Sequence, residues 1–362
     1  MNLRIPGPTP CPEEVLRAGA QQMINHRGPE FAQILRRVTD GLNWVFGSST
    51  DILSMTASGT GGLEMAVVNT LSPGDRVLAV SIGSFGDRFG NIAKAYGADV
   101  VKYSLEWGEA ADPAAIGRML DEDRSIKAVL VTHNETSTGV TNPLEAIGRE
   151  VRSRDRLILV DAVSSMSSVP CPVERWGLDV VVSGSQKGWM VPPGLAFMYM
   201  SERAWAANAE SKMPKFYFDA ARIRDSLKKL ENPWTPAMAV YFGMDRAFEL
   251  MRAEGLEGIF TRHEAVASYT RDRVKSWGLK LVPVDERYAS NTVTAVYWPE
   301  GVEGKALSKR AREEFGVVLG GGQGKLEGKI FRVGHLGWVS KQDVVDALDV
   351  VERVLQDAKA AV

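Results

Sequence analysis

The sequence predicts an α/β protein, with a large doubly wound domain built on a mainly parallel sheet and a smaller C-terminal α+β domain after it. Two observations carry this. Between about residues 52 and 200, short β-branched runs alternate with amphipathic stretches, and the runs are apolar throughout, as strands covered on both faces by crossover helices must be. After about residue 235 the alternation gives way to long amphipathic helices with a few strands between them.

The elements follow in order. Residues 1–20, rich in Pro and Gly, read as an extended arm. In the large domain, taken as 21–235, the strands are RVLAVSI (76–82), DVVKYSL (99–105), KAVLVTH (127–133), RLILVDA (156–162), LDVVVSG (178–184) and LAFMYM (195–200). Helical patterns at 86–97, 113–122 and 143–153 supply crossovers. The small domain, taken as 236–362, opens with helices at 236–254 and 257–277, continues through KLVPV, NTVTAVYW, a helix at 304–315 and KIFRVGHLG, and ends in a helix at 340–358.

Composition narrows the function. The 43 Lys and Arg stand against 45 Asp and Glu, a net charge of −2, so no positive field exists to attract a nucleic acid. Cys11 and Cys171 lack paired spacing and the four His are scattered, so neither a disulfide framework nor a metal site is expected. The segment MNLRIPGPTPCPEE has no apolar signal core and no window of 18 apolar residues occurs, so a cytoplasmic protein without a membrane segment is expected.

Three features fall at successive strand ends. Ser58-Gly59-Thr60-Gly61-Gly62 opens a helix after an apolar run, and such a start offers backbone N–H groups to a phosphate. Neither the dinucleotide nor the P-loop fingerprint completes, so this loop alone also reads as a plain helix start. Asp161 ends LILVDA, where a lone acid reads equally as a helix cap. Lys187 lies among the small residues Ser183-Gly184-Ser185-Gln186-Lys187-Gly188, in a crevice able to lower its pKa by desolvation. A phosphate cradle, a carboxylate and a lysine together meet the needs of pyridoxal 5'-phosphate: its phosphate held, its ring nitrogen paired with an acid, its aldehyde bound by an amine. Phe85 is then placed to stack on the ring, the hydroxyls of 133–139 to reach its oxygen, and Arg332 to grip a substrate carboxylate.

With these residues in view, PGPTPCP, SGTGG, HNETSTGV, LILVDAVSS, VVSGSQKGWMVPPGLAF and FRVGHLG, in this order, resemble the class V aminotransferases of fold type I. The similarity is strongest to the alanine–glyoxylate and serine–glyoxylate (serine–pyruvate) group. It implies that Lys187 carries the cofactor as a Schiff base and shuttles the proton, that Asp161 pairs with the ring nitrogen, and that Val163 faces Phe85 across the ring. It further implies phosphate contacts from Ser58, Gly59, Thr60 and Gln186, a contact from Thr136 to the ring hydroxyl, and a substrate carboxylate held by Arg332 with Gly7 and Pro8 closing the site. Thr235 would reach the phosphate from the other subunit of a homodimer with shared active sites. The chain departs from animal relatives at Asn232, where they have Tyr, and at Phe85, where many have Trp or Tyr. The implied reaction is transamination between serine or alanine and glyoxylate or pyruvate. A 2-aminoethylphosphonate or aspartate aminotransferase, a lyase or desulfurase, and a non-catalytic relative are the alternatives; the absence of a thiol after Cys171 argues against sulfur transfer.

Overall fold

In the computed structural model, which describes residues 1–360, a seven-stranded sheet forms the centre of the large domain. From one edge to the other its strands are Leu53–Thr56, Leu195–Met200, Val180–Gly184, Leu157–Asp161, Ile126–Thr132, Arg76–Ser81 and Asp99–Ser104. Leu195–Met200 runs antiparallel to both neighbours, and the other six share one direction. The central strands Leu157–Asp161 and Val180–Gly184 are buried at every residue, while the edge strand Asp99–Ser104 alternates between exposed and half-buried. That gradient is what a sheet covered on both faces produces.

Several elements differ from the sequence expectation. The arm is extended only in part: Glu13–Gly19 forms a helix that packs on helix Met238–Glu254. Leu53–Thr56 is an edge strand, and KLVPV is not a strand. Leu281 makes one isolated bridge to Val296, and Pro283, which has no N–H, stops the ladder there. The cores also divide later than residue 235. Helix Met238–Glu254 buries Tyr241, Phe242, Met244 and Phe248 in the large-domain core, alongside helix Pro29–Phe46.

The small domain has a four-stranded sheet in the order Asn2–Arg4, Val317–Gly321, Ile330–Gly334, Val293–Tyr297. Helices Leu256–Ser276, Gly304–Phe315 and Lys341–Ala360 pack with it around Trp298, Phe331, Val333, Val344 and Val351. Its first strand comes from the N-terminal arm, pairing in parallel from Asn2↔Val317 to Arg4↔Leu319. The arm thus begins in one domain and crosses to the other. Among the described residues no helix is long and apolar enough to cross a membrane.

Candidate active site

The site lies along the carboxyl ends of the parallel strands, where the chain leaves the sheet in small-residue loops. Ser58 follows Leu53–Thr56 and caps helix Gly59–Thr70, its hydroxyl accepting from the N–H of Gly61 at 3.3 Å. The N–H groups of Gly59 and Thr60 have no acceptor among the described residues, so the helix start keeps free donors at its positive end. This loop packs closely on its neighbours. A Cβ on Gly59 would meet Val163 Cγ2 at 2.7 Å, and one on Gly184 would meet Gln186 Oε1 at 3.1 Å and Gly59 Cα at 3.4 Å. Ser58, Gly59, Thr60, Val163 and Gln186 therefore converge, and the buried amide oxygen of Gln186 has no protein partner.

Asp161 ends its strand and is buried. Its Oδ1 accepts from Val163 N–H at 3.0 Å. Burial is the main reason its carboxyl is pushed up to about 6, with the Val163 bond opposing and the charge of Glu135 adding to the rise. A cationic partner would reverse that shift, so a protonated ring nitrogen suits this carboxylate. Lys187 turns back over the strand ends from the loop after Val180–Gly184. Burial pushes its ammonium down to about 8 against the opposing pull of Asp161, and Arg332 and Arg88 lower it further.

The arm closes this space. Lys187 Nζ donates to the carbonyl of Pro6 at 2.5 Å, and Thr9 is tied to the loop by its N–H to Gln186 O at 3.1 Å and its hydroxyl to Lys187 O at 2.9 Å. Gly7, at φ +133°, has a backbone that side chains rarely adopt, and a Cβ there would stand 2.4 Å from Lys187 Nζ and have to push the lysine tip aside. Arg332 enters from strand Ile330–Gly334 of the small sheet. Its Nε donates to Gly321 O and its Nη1 to Thr136 O, both at 2.8 Å. Those two bonds leave one Nη1 hydrogen and both Nη2 hydrogens without a protein acceptor among the described residues, donors that a carboxylate can take in a pair. Burial lowers this guanidinium to about 10, with Glu135 holding it up.

Phe85 sits half-buried at the start of helix Ser84–Ala95, with the Arg88 guanidinium 4.6 Å from its ring centroid. Thr136 is buried, its carbonyl committed to Arg332. Thr235 is exposed on the loop before helix Met238–Glu254, where a pocket is lined by Thr56, Tyr217 and Trp234. Asn232 faces inward: its amide donates to Tyr241 OH at 3.1 Å, which pairs with Ser54 Oγ at 2.7 Å. In this chain Asn232 thus ties the Thr235 loop to the strand that leads into Ser58. Three participants escaped the sequence reading. Arg88 was detectable from its i, i+3 spacing to Phe85. The Pro6 carbonyl and Glu135 carry no local signal, because their partners lie far along the chain.

The chain belongs to the class V aminotransferases: the family model described as Aminotransferase class-V matches residues 2–327. Relatives span nearly its whole length. It is 45% identical over 358 residues to the small subunit of a soluble hydrogenase from Synechococcus sp. (strain PCC 6716), covering 98% of this chain and 93% of that one. It is 36% identical over 358 residues to the L-aspartate–glyoxylate aminotransferase of Paracoccus denitrificans, covering 98% and 90%. The crystal structure of an alanine–glyoxylate aminotransferase from Nostoc sp. superposes with a TM-score of 0.93 at 32% identity, over 98% of this chain and 94% of that one.

Proposed function

We propose that the chain transfers an amino group from a small amino acid, serine or alanine, to a small 2-oxo acid, glyoxylate or pyruvate, with pyridoxal 5'-phosphate as cofactor. One observation carries this reading: a buried Lys187 amine with a lowered pKa lies close enough to buried Asp161 and to Arg332 to feel both charges, and Arg332 keeps donors that no protein group takes among the described residues. The cofactor, when bound, supplies an electron sink that acidifies the Cα–H of an amino acid.

The chain's residues supply the rest. Ser58 and the free N–H groups of Gly59 and Thr60 hold the phosphate, with the Gln186 amide beside them. Val163 and Phe85 confine the ring. Asp161 keeps the ring nitrogen charged, and Thr136 borders its hydroxyl. Lys187 in its neutral form accepts the Cα proton and returns it. Arg332 orients the substrate carboxylate, and the Pro6–Gly7–Pro8 segment excludes water from the amine. The exposed Thr235 loop is available to a second copy, and the reading includes a homodimer with shared sites. The free thiols Cys11 and Cys171 suit a cytoplasmic setting.

The test is the absorbance of purified protein loaded with pyridoxal 5'-phosphate, before and after L-serine, L-alanine, L-aspartate or 2-aminoethylphosphonate. A band near about 410 nm moving toward about 330 nm with serine or alanine is expected. Lys187→Ala should fold and lose turnover. A response to aspartate or 2-aminoethylphosphonate alone would replace the donor named here. Hydrogen-dependent dye reduction without transamination would overturn the reading in favour of the activity in the Synechococcus relative's name.

A further inference from the structure

We infer that Glu135 is a positioning residue for this reaction: its buried carboxylate fixes the Phe85 ring and the Arg332 guanidinium in one frame. The inference rests on the transamination reading and names a residue outside the set assigned above. Glu135 is fully buried, on a short strand pair formed by Asn134–Glu135 and Val140–Thr141. Buried carboxylates are costly unless every oxygen is bonded. Here both are. Oε2 accepts from the N–H groups of Phe85 and Gly86, each at 3.0 Å, and Oε1 accepts from the N–H of Ser137 at 3.1 Å and its hydroxyl at 2.6 Å. The Ser137 oxygen in turn accepts from the N–H of Ser84 at 3.0 Å.

The first three N–H groups of helix Ser84–Ala95, which no helical carbonyl can reach, are thus satisfied by a loop from another strand. The helix dipole also favours a negative group at this end. Gly83 makes the approach possible, because a Cβ there would stand 2.4 Å from Ser137 Oγ and 2.5 Å from Glu135 Cδ. Burial pushes the Glu135 carboxyl above the usual carboxylate range, and the three N–H donors with the Ser137 hydroxyl oppose that rise by favouring the ionised form.

The consequence reaches both sides of the cleft. Phe85 is among the residues whose N–H the carboxylate holds, so Glu135 fixes the backbone from which its ring projects. Thr136, next in the chain, presents the carbonyl that orients Arg332. A helix cap with a purely structural role would support the fold and leave substrate handling alone, which makes the inference testable.

Glu135→Gln keeps the shape and puts an NH₂ group against at least one donor. In the cofactor-free protein, hydrogen exchange at Phe85 and Gly86 should quicken by about tenfold. In the loaded enzyme the KM of the amino donor should rise about tenfold with a smaller change in kcat, and the visible circular dichroism of the bound cofactor should weaken. The double variant Glu135→Gln/Arg332→Lys should lose less donor binding than the product of the two single effects, because part of the Glu135 effect runs through Thr136 to the Arg332 guanidinium. Multiplicative effects, or a folded Glu135→Gln with unchanged KM and dichroism, would overturn the inference. Should Glu135→Gln not fold, Ser137→Ala removes one donor to Oε1 and the acceptor of Ser84. The same KM rise, smaller, is expected there, and its absence overturns the inference equally. A wild-type chain without any half-reaction would sink the transamination reading itself, and is told apart because hydrogen exchange around Phe85 still reports the Glu135 contacts.

Discussion

Lys187 sits between opposing influences, and their balance sets when it can react. Burial favours the neutral amine, Asp161 favours the ammonium, and the outcome is about 8 where an exposed lysine titrates at 10.5. Only the neutral amine attacks an aldehyde. Below about 8 the reactive fraction falls tenfold per pH unit, and above it the fraction is nearly constant. Capture of pyridoxal 5'-phosphate by the cofactor-free protein, followed by stopped-flow absorbance, should therefore rise with pH to a plateau with its midpoint near 8. A midpoint above 10 would mean the amine is solvated. Gly7→Ala tests the same corner by shape. Its Cβ would press on Nζ, so turnover should drop by about a hundredfold while the protein stays folded; unchanged turnover would show that the arm yields. Lys187, Asp161 and the Ser58 loop were legible in the sequence because each ends an apolar strand in a small-residue loop. Glu135 was not, since its role depends on Gly83–Gly86 arriving from a different strand.

Between elements, helix Pro29–Phe46 fits closely on helix Met238–Glu254. Gly41 lies over the ring of Phe248, and a Cβ there would stand 2.5 Å from it. Alanine favours a helix over glycine by about 1 kcal/mol, but an overfilled contact costs about 1–3 kcal/mol. Gly41→Ala should therefore lower stability in urea unfolding, and a gain would mean Phe248 has room to turn. This contact also explains why the boundary at 235 was misread: amphipathic periodicity marks a buried face and does not say which core receives it. The strands between 76 and 200 were readable because most of their residues are buried, so that apolar runs and strands coincide. Direction was not readable, because LAFMYM has the same pattern parallel or antiparallel. Helix Glu13–Gly19 was hidden by the prolines before it, although Pro12 occupies its cap and Glu13 and Glu14 its first turn.

On the scale of the whole molecule, an aromatic cluster lies open beside the Thr235 loop. Phe216 and Tyr217 are 64% and 40% exposed, and both stack on Trp234, with ring centroids 5.1 and 5.9 Å apart. Such a surface is costly in water and suits the subunit contact in the proposed homodimer. Phe216→Asp should shift the protein toward monomer in sedimentation and lower activity about tenfold or more. A dimer of unchanged strength would place the contact elsewhere. The arm has a different consequence. Asn2–Arg4 finds its partner only in Val317–Leu319, near the other end of the chain. During synthesis Asn2–Arg4 leaves the ribosome more than 300 residues before Val317–Leu319, so its strand partner is missing until that late segment has been made. The large sheet can form from neighbouring strands meanwhile, whereas the arm that passes over Lys187 gains its anchor in the small sheet later. Newly made chains should thus pass through a stage with a formed large domain and a cover over Lys187 fastened only at its Thr9 end, during which the lysine is less enclosed than in the finished enzyme.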